Sequence, residues 1–186
     1  MAAREQILHA TIELIGSEGI GAVSNRRVAA DAGVALGSLT YHFPDQSQLL
    51  HEALVLYAEE EIARFVEIAA RLRAAEATPE EVVAEVQRAI AASAERRTAQ
   101  VAELELYLHA SRNPALVEAS RRCFAAYDDF AAAALEALEV PDAQRLAKVV
   151  VALITGLGVR RLGTAEEDLE TPGLALAALL RGVQAS

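Results

Sequence analysis

The stretch from 24 to 50, SNRRVAADAGVALGSLTYHFPDQSQLL, leaves few ways of folding. Ser24 is a good helix N-cap, and Val28, Ala29 and Ala32 follow it at helical spacing. Gly33 can take the left-handed conformation that ends a helix, so the chain turns there. The next segment, Ala35 to His42, places Leu39 inward, with Phe43 one turn later on the same face. Leu36, Ser38, Thr40, Tyr41 and His42 are left mostly outward, a small and hydrogen-bonding surface. Pro44 stops this helix, and Asp45 or Ser47 can cap the next. Two short helices around a glycine turn, the second with a polar face, make a helix-turn-helix.

The run Val28-Ala29, Ala32-Gly33-Val34, Gly37-Ser38-Leu39, Tyr41-His42-Phe43 and Leu49-Leu50 follows a helix ending in Glu18-Gly19. In these residues the chain resembles the TetR family of one-component transcriptional regulators. The resemblance rests on about the first 50 residues; the rest agrees only in length and helical character. It implies a DNA-binding domain over 1–45 and a ligand-binding and dimerisation domain over 46–186. It also implies a regulator, most simply a repressor, that binds a palindromic double-stranded operator as a homodimer and is released by a small-molecule effector. No cofactor is implied.

In such a motif the second helix enters the DNA major groove. Leu36, Ser38 and Thr40 would face base edges, the leucine against a thymine methyl. By the resemblance, Tyr41 and His42 match phosphate-contacting positions and Arg26 a backbone or base contact. Ser24 and Arg27 lie beside it. The residues alone leave Tyr41 open as a half-buried core aromatic and His42 as a helix C-cap. Two positions depart from the family pattern. Gln46 stands where a lysine is usual, and Ala35 replaces a Ser or Thr cap, which costs about 1 kcal/mol of local helix stability.

Charge runs against a large phosphate footprint. The chain carries a net charge of −10, and residues 1–50 hold three arginines against five acids, a local −2. Counterion release from DNA scales with the phosphates neutralised, so modest non-specific affinity and a shallow salt dependence are expected. An acidic head with Gln46 also fits a second reading, a dimeric helical interaction protein with a vestigial DNA-binding head. An enzyme is not indicated: no nucleophile–base pair is visible, and His9, His42, His51 and His109 lack metal-site spacing.

Composition supports an all-α chain of about nine helices. Aromatics are only 4%, prolines number five in 186 residues, and alanine is abundant. Periodicity and breakers place helices at 3–18, 46–74, from 78, 97–112, 115–138, from 142 to 162 and 171–183, besides the pair above. The longest apolar run, 149–159, contains two glycines and is too short to span a bilayer. With no signal-peptide pattern and a single cysteine, Cys123, a cytoplasmic protein without a membrane partner is expected.

Two further surfaces are expected. The segments 142–162 and 171–183 are apolar nearly all round, and such helices must be covered on both sides. A two-fold dimer would do so through Val149, Leu153, Gly156, Leu157, Leu176, Leu179 and Leu180; a central core helix is the alternative. In the 46–74 helix, Leu54, Val55, Ala58, Ile62, Phe65, Val66, Ala69 and Leu72 form the expected core arc, with Glu61 at its edge. A carboxylate with apolar neighbours needs a partner or a ligand. Gln100, Glu103 and Tyr107 recur at helical steps, and Phe124 and Tyr127 lie on the apolar stripe that holds Cys123. Glu61, Phe65, Gln100, Glu103, Tyr107, Phe124 and Tyr127 are therefore the candidate effector contacts. Two acids favour a cationic or hydroxylated ligand. The plainer possibility is that each acid pairs with an arginine such as Arg64 or Arg71.

Overall fold

The computed structural model describes residues 2–74, 78–165, 171–176 and 178. Among them the chain is helical from end to end. The order is α1 (Ala3–Glu18), a 3-10 turn (Ile20–Ala22), α2 (Asn25–Asp31), α3 (Leu36–His42), α4 (Gln46–Ala74), α5 (Pro79–Glu95), α6 (Arg97–Ala110), α7 (Pro114–Ala137) and α8 (Ala143–Thr164). Residues 171–176 are helical too. The all-α expectation holds, and α1 and α4 run between the limits expected of them. α6 is shorter than expected, ending at Ala110. There Ser111 and Arg112 form a turn, and the Asn113 side chain accepts from the Ala115 N–H at 3.1 Å to start α7.

Local chemistry accounts for the helix starts. Thr78 and Glu81 form a reciprocal capping box at the head of α5, with Pro79 in its first turn. Ser24 caps α2 by accepting from the Arg27 N–H at 3.4 Å. α2 ends where Gly33 takes φ 66°, and the Val34 N–H returns to the Ala29 carbonyl at 3.0 Å.

The chain divides into two compact units, Met1–Glu61 with Arg97–Arg122 and Ile62–Arg96 with Cys123–Ser186. In the first, α1 buries Ile7, Leu8, Thr11, Leu14 and Ile15, and the Thr11 hydroxyl donates to the Ile7 carbonyl at 2.8 Å. Val28, Leu39, Phe43 and Leu49 complete the core around the two short helices. α6 turns Ala102, Leu106 and Ala110 inward, and α1 lies directly along it. At the closest point a Cβ on Gly16 would stand 2.2 Å from the Thr98 carbonyl oxygen and 2.4 Å from its methyl. Two helix backbones meet there with no room for a side chain.

α4 buries five of the eight residues of the expected arc, Leu54, Ala58, Phe65, Ala69 and Leu72, and departs from it at the rest. Tyr57, Glu61 and Ile68 are buried, whereas Val66 is 49% exposed and Val55 and Ile62 are half-buried. Burying Tyr57 and Ile68 removes more apolar surface from water than burying the two valines would, and the seam follows the larger side chains. Glu61 consequently sits inside the arc, only 4% exposed.

In the second unit α7 buries Cys123, Ala126, Tyr127 and Phe130, then Ala131 to Leu135 without a break. Arg73 of α4 donates to both carboxylate oxygens of Asp129, at 2.7 and 2.9 Å. Arg71 pairs with Glu67 and Glu85, so it is not the partner of Glu61.

Two outcomes follow from this packing. Gly16→Ala forces α1 and α6 apart and is expected to cost about 1–3 kcal/mol, read as a lowered denaturation midpoint. The hydrogen bonds from Arg73, offset in part by burial, hold the Asp129 carboxyl below its usual range. Its folded pKa is below the unfolded one, so the stability it adds is present above pH about 4 and fades as pH falls through the folded value. Because the pair is largely exposed, Asp129→Asn is expected to cost under about 1 kcal/mol at pH 7, with the difference vanishing in acid melts.

Candidate nucleic-acid interface

α3 has a one-sided surface. Leu39 is fully buried and Phe43, which ends the helix, is 1% exposed. On the other side Tyr41 is 83% exposed and Leu36 46%, with Thr40 also exposed. Ser38 and His42 are half-buried at the flanks of that face. The exposure of Tyr41 rules out the core-aromatic possibility. The Thr40 hydroxyl donates back to the Leu36 and Gly37 carbonyls at 3.2 and 3.1 Å, leaving its methyl group and lone pairs outward. Ala35 is the N-cap of α3 and supplies no side-chain cap. The amides of the first turn of α3 therefore carry no side-chain cap from Ala35.

The three arginines of the head are placed very differently. Arg4 pairs with Glu52 and its guanidinium lies 5.6 Å from the Phe43 ring centre. Arg27 donates to Glu18 at 2.6 Å and to Asp31 at 3.1 Å. Arg26 is exposed and makes no ion pair among the described residues. Ser24 is exposed, with its hydroxyl engaged as the α2 cap. The hydrogen bond and charge of Glu18, with Asp31 behind them, hold the Arg27 guanidinium more firmly protonated than usual.

Sequence reasoning missed one role. The Gln46 side-chain amide donates to the Val23 carbonyl at 2.6 Å, tying the start of α4 to the chain entering α2. A polar side chain at that helix start was visible; its target, 23 residues away, was not.

The effector candidates fall into both units. In the first, Glu61 is buried, Gln100 is half-buried, and the Tyr107 hydroxyl donates to Glu103 across one turn of α6. In the second, Phe65 packs edge-on against Tyr127 with ring centres 4.7 Å apart, and Phe130 lies 5.4 Å from Phe65. Phe124 meets Tyr127 edge-on at 6.3 Å. The Arg64 guanidinium covers the Phe65 ring at 4.3 Å, a cation–π contact.

The dimer candidates on α8 are open. Val149 is 48% exposed, Gly156 is exposed, and Leu153 and Leu157 are half-buried. A Cβ added at Gly156 or Gly163 would meet nothing within 4 Å. Leu176 is half-buried, and Leu179 and Leu180 lie outside the described residues. Among the described residues no helix is long and apolar enough to cross a membrane.

A helical head of this kind, with a one-sided second helix behind a glycine turn, defines a helix-turn-helix regulator. The family model for bacterial regulatory proteins of the tetR family matches residues 7–53, and that for the tetracyclin repressor-like C-terminal domain matches 77–185. The chain belongs to the TetR family of transcriptional regulators. It is 32% identical to a TetR-family member of Streptomyces coelicolor A3, covering 96% of this chain and 98% of that one with a TM-score of 0.67. The multidrug binding protein EbrR, solved with ethidium, is 31% identical over 96% of this chain and 98% of that one, with a TM-score of 0.68. The HTH-type transcriptional regulator PksA of Bacillus subtilis (strain 168) is 38% identical over 68 residues, 37% of this chain. That match spans about a third of the length of PksA.

The uncapped start of α3 yields a direct outcome. Ala35→Ser is expected to stabilise the protein by about 1 kcal/mol, seen as a higher thermal midpoint and slower amide exchange in α3.

Proposed function

We propose that the chain is a ligand-responsive repressor that binds a palindromic operator as a homodimer and is released by a small molecule. The exposed face of α3 carries this reading. Burying Leu39 and Phe43 while turning Leu36, Thr40 and Tyr41 to water leaves a surface that contributes nothing to the core. The residues proposed to meet DNA are Leu36, Ser38 and Thr40 at base edges, Tyr41, His42 and Arg26 at the backbone, and Ser24 and Arg27 at its margin. The proposed division of labour is DNA binding by 1–45, and effector binding and dimerisation by 46–186.

The dimer is proposed to form through α8 and the segment from 171. The open apolar face of Val149, Leu153 and Leu157, with Gly156 leaving room for close approach, supports it. Two recognition helices related by a two-fold axis and about 34–36 Å apart would read a palindrome.

For the effector we propose a flat aromatic cation. EbrR, which resembles this chain along most of its length, has been solved with proflavin as well as ethidium. Here the carboxylates of Glu61 and Glu103, with Gln100 and Tyr107, are the contacts proposed in the first unit. Phe65, Phe124 and Tyr127 are those proposed in the second. The effector must favour one state of the dimer by about 3 kcal/mol to change operator occupancy a hundredfold.

Fluorescence anisotropy with duplexes tiled across DNA flanking the gene tests the core of this reading. A preference of about a thousandfold for one imperfect palindrome over scrambled DNA is expected. Equal, weak binding to every duplex would refute it. Leu153→Asp with Leu157→Asp is expected to give a monomeric mass at micromolar concentration and to abolish operator binding; an unchanged dimer would exclude this face. Calorimetric titration of DNA-free protein with proflavin is expected to show binding that weakens at least tenfold in a Glu61→Gln, Glu103→Gln double variant. Equal binding by the two proteins would remove both acids from the site.

A further inference from the structure

Arg27 is better partnered than a phosphate-binding arginine should be. Its Nη2 donates to Glu18 Oε1 at 2.6 Å, its Nη1 to Glu18 Oε2 at 3.4 Å and its Nε to Asp31 Oδ2 at 3.1 Å. Three of the five N–H donors of the fork are thus turned to carboxylates, one on each of its three nitrogens. All three side chains are 40–48% exposed, so the cluster is a surface device rather than part of the core.

The two acids are badly placed for helix stability. Glu18 is the last residue of α1 and Asp31 the last of α2, where the helix dipole disfavours negative charge. Exposed ion pairs contribute little to folding, so Arg27 does not explain them as structural glue. Besides each ending a helix, the two acids share the guanidinium of Arg27. Arg4 is likewise paired, with Glu52, which leaves Arg26 as the one head arginine outside an ion pair among the described residues.

We propose that Glu18 and Asp31 form a clamp that withholds Arg27 from phosphate, so that carboxylates and phosphate compete for one guanidinium. The inference rests on the DNA-binding reading above and adds a role to it. On random DNA no base contact fixes a phosphate next to Arg27, the clamp stays shut, and one counterion-releasing contact is lost. On the operator, contacts from α3 hold the backbone in register, and a phosphate can displace the carboxylates. The clamp thus lowers non-specific binding more than specific binding. Glu18 and Asp31 are positioning residues in this scheme and touch no DNA themselves.

The test is the salt dependence of binding to a scrambled duplex, read by anisotropy on the full-length protein. Glu18→Gln is expected to bind more tightly than wild type at 50 mM salt and to steepen the log–log salt slope by about 0.9. Between 50 and 200 mM its advantage should therefore shrink by about 3.5-fold. Asp31→Asn should move the slope in the same direction. Glu13→Gln makes the same charge change on an exposed residue of α1 and contacts no arginine, so it controls for bulk repulsion. In an Arg27→Ala background the slope change from Glu18→Gln should disappear. An effect no larger than that of Glu13→Gln, one that survives Arg27→Ala, or no measurable binding by either protein at 50 mM would overturn the clamp. A wild type with no operator preference would refute the repressor reading, while the slope comparison would still decide the clamp.

Discussion

Two helices of seven residues present all of the proposed DNA-facing surface except Ser24, and helices that short do not persist alone in water. Everything about the head follows from having to hold them from outside. Val28, Leu39 and Phe43 are buried completely or nearly so, and α1 packs on both short helices. Ser24 secures the start of α2, and Gln46 ties the start of α4 back to the Val23 carbonyl. The start of α3 receives no comparable side-chain support from Ala35, so its position depends on the core beneath it. The recognition face is free to be polar and irregular because its stability is supplied from the opposite side.

The same economy governs charge. A head with a local charge of −2 lies at a disadvantage on a polyanion, yet two of its three arginines, Arg4 and Arg27, are spent on internal pairs. Surface pairs of this type are cheap to break, which makes them suited to exchange rather than to stabilisation. Weak general attraction would shift the burden of recognition onto the proposed contacts from α3 and the proposed dimer.

How much of this was legible depended on the distance over which residues interact. Patterns within one helix were readable: the α1 face, the Ser24 cap, the Gly33 turn and the Thr78–Pro79 start are all set by neighbours. The seam of α4 was readable only in part, since equal spacing suits Val66 as well as Ile68, and the choice was made by which side chain buries more surface. On α6 the polar row drew the eye, while the small residues Ala102 and Ala110 that face inward gave little signal. The role of Gly16 was not legible, because nothing in the sequence brings Thr98 to it. Of the Arg27 cluster, Asp31 is four residues away and predictable, but Glu18 lies across the Gly19 bend.

The meeting of Gly16 with the Thr98 carbonyl has a further meaning for how such a protein can change over generations. A notch without a side chain fixes α6 along the axis of α1, since sliding by one residue would drive a Cβ into the opposing backbone. Substitutions in the polar row of α6 can rotate or tilt that helix, but they inherit its register. The proposed effector contacts on α6 can change in chemistry while the position of α6 along α1 stays the same.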